Sequence, residues 1–180
     1  LAFTTYNSFT NYVGYERAIW NQYLEKRFGR DVIKQIWDEM MVQPALNSMD
    51  KILRNVGSSL KAAFAEFSSW NMFTGARADT VRYYREGHLF PSLQPNVTAS
   101  FSGLTVFVQG EAYPLSAQYY AFSVPGDTIL AGVSNVNHEM AYTNPGQRSG
   151  IRLTLSRSEV TGAVQKFSNG LIMGFDGEPI

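Results

Sequence analysis

The residues able to do chemistry in this 180-residue chain are few and widely spaced. Two histidines occur, His88 in Glu86-Gly87-His88-Leu89-Phe90 and His138 beside Glu139. Each pair offers two of the four ligands that a structural zinc takes, so both histidines read more simply as surface or structural residues. Asp38 and Glu39 adjoin on a helical pattern, which points their carboxylates apart and excludes a paired acid–base role. Glu66 stands in the most apolar stretch of the chain, where a carboxylate can acquire a raised pKa and a function. An ion pair with Arg54, Arg77 or Arg82 is the simpler expectation, since buried acids are usually paired. A hydrolase built on dispersed acids would need Glu66, Asp50 and Asp79 to converge in one cleft. Gly-rich phosphate loops, Ser-His-Asp order and G-x-S-x-G are missing from the sequence, and Ser58-Ser59 reads as a helix cap. No catalytic, cofactor-binding or metal-ligating residue is assigned.

Aromatic residues are the other candidates. Trp20, Trp37 and Trp70 all fall on apolar stripes and read as core rather than as a sugar-binding platform. Tyr113, Tyr119, Tyr120 and Tyr142 can form an exposed surface for glycan or protein contact, although strand alternation sends Tyr119 and Tyr120 to opposite faces. Asn96-Val97-Thr98 matches the glycosylation sequon.

These residues must be held by something, and the composition allows it. The chain is 44% hydrophobic and 14% aromatic, enough apolar material for a real core. Fifteen basic residues balance fifteen acidic ones with no basic run, so nucleic acid is not expected as a partner. Cysteine is absent, which removes disulfides and thiolate metal sites. No apolar run approaches the roughly 20 residues that span a bilayer, so no transmembrane segment is expected. The first residue is Leu1, and a leader or a larger N-terminal region is expected to precede it.

The organising element is Ser58 to Gly75, SSLKAAFAEFSSWNMFTG. Read as a helix, it is apolar on most of its circumference and must be buried among other elements. Ser58 or Ser59 can cap its start and Gly75 can end it. Before it, Leu1 to Asn11 reads as an extended lead-in. A helix from Tyr12 to Phe28 follows, with Val13, Trp20, Leu24 and Phe28 on one stripe and Gly29 as its stop. Asp31 can cap a second helix with Val32, Ile33, Ile36, Trp37 and Met40 inward. After Pro44, a third helix buries Met49, Ile52, Leu53 and Val56 and stops at Gly57. Asp79 can cap a short fifth helix through Tyr83, Tyr84 and Glu86. Beyond Pro91, short β-rich runs alternate with turn residues such as Pro125-Gly126-Asp127 and Ser168-Asn169-Gly170. The fold class expected is α+β: a helical bundle of about five helices over 1–91, then an antiparallel β-sandwich-like domain over 97–180.

Three pieces of the helical half, Tyr15 to Met40, Leu46 to Gly75 and Tyr83 to Pro91, together resemble a family of secreted bacterial and archaeal zinc metalloproteases. The likeness is to the region downstream of the active site, where an aromatic helix ends at Phe-Gly, a helix carries Ile-Trp, and a Phe-x-x-Trp-Asn helix precedes a Tyr-Pro or Phe-Pro element and a β-rich tail. The family's H-E-x-x-H helix, which supplies two zinc ligands and a general base, is absent here, so no catalytic residue carries over. The resemblance implies a non-catalytic C-terminal part of a secreted metalloprotease-like protein, in a scaffold or substrate-binding role, with the missing N-terminal catalytic region or another protein as partner. The other expectation is an extracellular, self-assembling cell-surface module, a homo-oligomer joined through strand edges.

Overall fold

A computed structural model describes residues 18–95, 97–100, 107–108, 115–123, 152–153, 156–161, 164–169 and 173–174. The chain divides into two compact units, Leu1–Pro125 and Gly126–Ile180. Four α-helices belong to the first: α1 Ala18–Phe28, α2 Arg30–Glu39, α3 Ala45–Asn55 and α4 Leu60–Trp70. None is long and apolar enough to cross a membrane, a statement confined to the described residues.

Helix α1 buries Trp20, Tyr23 and Leu24 and carries Lys26 and Arg27 in its last turn, where they oppose the negative end of the helix dipole. Gly29, at φ +92°, breaks the helix in a conformation that side-chain-bearing residues rarely adopt. The chain re-enters a helix at once, and Gly29 itself occupies the N-cap position of α2. Asp31, expected there, sits inside the first turn instead, where its charge still complements the dipole. Helix α3 begins after Pro44 and buries Ser48, whose hydroxyl donates to the Gln43 and Pro44 carbonyls. Its last turn closes into Gly57 at φ +78°.

Helix α4 is fixed at its start from two directions. The Ser59 hydroxyl accepts from the Ala62 amide at 3.1 Å, and the Asp50 carboxylate of α3 accepts from the Leu60 amide at 2.9 Å. These two side chains satisfy orphan donors of the first turn. The helix stops at Trp70 rather than Gly75, and Gly75, at φ +59°, opens a 3-10 turn over Gly75–Arg77. A Cβ at Gly75 would collide with the Ser92 hydroxyl and backbone, so only glycine permits this approach.

The core is an aromatic cluster gathered on α4. Trp20 meets Phe67 edge-on at 5.0 Å and Tyr23 meets Trp70 edge-on at 5.0 Å, the offset geometry that aromatic quadrupoles favour. Tyr84 returns to cover Trp70 at 5.4 Å and donates its hydroxyl to Asn71 Oδ1 at 2.7 Å.

The expected fifth helix does not form. The Asp79 carboxylate accepts from the Val81 and Arg82 amides like a cap, yet the chain turns and enters a 3-10 turn at Gly87–Leu89. So few residues cannot offset helix nucleation. Tyr83 instead stacks on Phe73 at 4.0 Å, and Tyr84 is drawn into the core.

The expected antiparallel sandwich is also overturned: the described residues are mainly helical and their strands pair only two by two. In the first unit, β1 (Val97–Ser100) pairs with β2 (Tyr120–Ser123) in parallel, from Val97↔Tyr120 to Ser100↔Ser123. In the second, β3 (Arg152–Leu153) pairs with β6 (Met173–Gly174), and β4 (Ser156–Thr161) with β5 (Val164–Asn169), both antiparallel. The register Thr161↔Val164 brings β4 and β5 together across a two-residue connection, and Ser168 and Asn169, expected in a turn, belong to β5. Alternation marks a strand but carries no record of its partner, and a parallel pair needs a long connection that no turn dipeptide announces.

Candidate functional site

A cleft of about 200 Å³ opens where α1, α2 and α3 meet. Helix α1 supplies Trp20, Asn21 and Leu24 at i, i+1 and i+4; α2 supplies Ile33, Ile36 and Trp37, with Met40 just past its end, and α3 supplies Met49. Leu24 and Ile36 form its buried floor, while Trp37, 63% exposed, stands at the surface. Met41 and Val42, 88% and 81% exposed, continue the apolar surface beyond α2. The apolar stripe of α2 predicts Trp37 in the core with Trp20 and Trp70; those two are buried and Trp37 is not.

Three ion pairs tie charged groups on the framing helices to one another. Arg30 meets Glu25 at 3.2 Å, Lys34 meets Asp38 at 2.7 Å, and Lys51 of α3 meets Glu39 of α2 at 2.9 Å. Asp38 and Glu39 thus diverge as expected, one toward solvent and one across to α3. Among the described residues, the cleft is left with an apolar wall and a single side-chain amide, that of Asn21.

The acids do not converge. Glu66 accepts from the Tyr23 hydroxyl at 3.0 Å and from Arg27 Nε at 3.0 and 3.1 Å. Its partner is therefore Arg27, since Arg54 is engaged by Asp50, Arg82 by Asp79, and Arg77 by the Met72 and Leu93 carbonyls. Tyr23 and Arg27 stand i, i+4 on α1 and so reach Glu66 from one face of that helix. Burial raises the Tyr23 phenol far above its ordinary range, and the Glu66 carboxylate adds to the effect. Burial likewise raises Tyr84 and Tyr119. The Leu60 amide, then Arg54, holds the Asp50 carboxyl below its usual value, and the Arg82 amide leads the same effect at Asp79.

His88 and Glu86 lie exposed around the Gly87–Leu89 turn, and no three histidine, aspartate or glutamate side chains gather among the described residues. Tyr119 and Tyr120 face apart: Tyr119 donates to the Ser68 carbonyl at 2.9 Å, while Tyr120 is exposed beside Phe122, with ring centroids 6.4 Å apart. Val13, Asn96, Tyr113, His138, Glu139 and Tyr142 lie outside the described residues. Comparison of the chain with protein-family models, curated proteins and solved structures finds no match.

Proposed function

We propose that the helical unit is a non-catalytic docking scaffold of a secreted metalloprotease-like protein, whose cleft between α1, α2 and α3 seats an amphipathic helix of the catalytic region. The observation that carries this reading is an exposed tryptophan beside an open apolar cleft, an arrangement typical of an interface anchor and its pocket. The nature of the occupant follows from charge. Because Glu25 of α1 is paired with Arg30 of α2, Lys34 with Asp38 within α2, and Glu39 with Lys51 of α3, these charges largely cancel at the framing surface. An apolar helix face suits it better than a charged segment. The sequence resemblance adds support, since the described parts of its three stretches pack around one core, with Tyr84 of the third closing on Trp70 of the second and Phe90 packed edge-on against Tyr84.

The test is to read the gene upstream of Leu1 and measure the intact mass of the protein from its native source. An H-E-x-x-H segment in the same frame, with zinc-dependent peptidase activity lowered by Trp37→Ala, supports the scaffold role. A frame that opens directly on a signal peptide overturns it.

One observation favours a second reading, a self-assembling cell-surface module. Tyr120 and Phe122 project from the short parallel pair β1–β2 with their rings near parallel, an apolar ladder on which another strand can align. Sedimentation that stays monomeric across a wide concentration range would remove this reading.

A further inference from the structure

Met40 and Met49 line the cleft from the end of α2 and from α3, and Met41 stands next to them on the exposed turn that follows α2. These are three of the chain's six methionines, in a sequence without cysteine, so thioethers are its only sulfur. Met40 and Met49 are half-buried, covered enough to shape the cleft and open enough to be reached. We infer that this methionine corner is an oxidant-responsive modification site that switches the cleft between an apolar and a polar state, an inference that rests on the docking role proposed above.

The chemistry is oxygen transfer from a peroxide. A thioether lone pair attacks one peroxide oxygen and the O–O bond breaks. The sulfur keeps that oxygen as a sulfoxide, and the other oxygen leaves as water after proton transfer. Sulfur loses two electrons and the peroxide gains them, and methionine sulfoxide reductases reverse the change. Met41 reacts first because it is the most exposed of the three. Oxidation of Met40 or Met49 then places a strongly polar S=O in a wall where, among the described residues, Asn21 is the single side-chain amide available to answer it. An apolar occupant brings no donor of its own to that group, which disfavours docking. Thioethers also pack against irregular surfaces better than stiffer side chains, so their conversion removes the adaptability of the site.

The probe is 1-anilinonaphthalene-8-sulfonate, titrated into the full chain before and after graded hydrogen peroxide, with each methionine followed by peptide mass mapping. Reduced protein is expected to bind the dye in a Trp37-dependent way, shown by loss of binding in Trp37→Ser. Oxidation at Met40 and Met49 is expected to weaken that binding about tenfold, whereas oxidation at Met41 alone leaves it unchanged. The Met40→Leu/Met49→Leu double variant keeps the wall apolar but has no sulfur to oxidise there, so, compared with its own untreated form, its dye binding is expected not to change on peroxide treatment. Dye binding that persists after both sites are shown to be sulfoxides overturns the switch while leaving the docking surface intact. Absence of Trp37-dependent binding in reduced protein removes the docking reading, and the switch with it.

Discussion

Helices α2 and α4 each carry a tryptophan on an apolar stripe, yet Trp70 is 6% exposed and Trp37 is 63% exposed. Their own sequences do not explain the contrast. Around α4 the chain delivers three partners: Trp20 and Tyr23 from α1, Asp50 from the middle of α3, and Tyr83 and Tyr84 returning after the 3-10 turn. Helix α2 packs between α1 and α3 on one side, and Trp37 lies at the edge of that contact. An apolar stripe becomes core only when another element arrives to cover it. Where none arrives, the same residues make a docking surface.

Trp70→Ala tests the contrast most severely. Deleting the ring at the centre of the aromatic cluster is expected to cost about 3–5 kcal/mol, read as a lower denaturation midpoint with an unchanged slope. Alkali is the next largest challenge. Tyr23, Tyr84 and Tyr119 have raised folded pKa values, so their contribution is complete below the ordinary tyrosine value of about 10 and is lost as pH climbs above it. Stability measured across that range is expected to fall steeply, and a flat profile would mean these phenols are not buried. Tyr84→Phe keeps the ring but takes the donor from Asn71, with an expected loss of about 1–2 kcal/mol by the same denaturation assay. Ser59→Ala removes the cap of α4 and is expected to cost about 1 kcal/mol. Trp37→Ala comes last, within about 0.5 kcal/mol of the parent by chemical denaturation. A loss comparable with that of Trp70→Ala would mean the two tryptophans are alike after all.

Much of the helical half is legible in the amino-acid sequence. The stripes Trp20–Leu24, Val32–Ile36 and Ile52–Leu53 show in their spacing, and Gly29 and Gly57 as stops, because periodicity and backbone chemistry are local. Ser59 is legible as a cap for the same reason. The partners are not. Nothing local says that Glu66 meets Arg27 rather than Arg54, since the choice depends on how α1 crosses α4. Asp79 bears every mark of a helix start, but Tyr83 and Tyr84 gain more from the core than from a helix. The parallel pairing of β1 with β2 depends on the whole path of the chain and leaves no local mark. The cleft leaves no mark in the sequence at all, because it exists only through the way α1, α2 and α3 meet and leave Trp37 at their edge.

The order in which the helices meet has a consequence for how the protein comes into being. Helix α1 packs on α2, α2 on α3 and α3 on α4, so these three contacts close short loops between neighbours in the chain, and the α1–α4 aromatic contacts close the longer one. Short closures are entropically cheap, and helical proteins wired this way reach their native state quickly. On a ribosome each helix would find its neighbour already outside the exit tunnel as it emerged. A later fastening is at Ser92, whose hydroxyl accepts from the Ala76 amide at 3.0 Å while Thr74 donates to the Pro91 carbonyl at 3.0 Å. Synthesis must pass Ser92 before the Gly75 turn can be latched, so this clasp closes only after all four helices have been made.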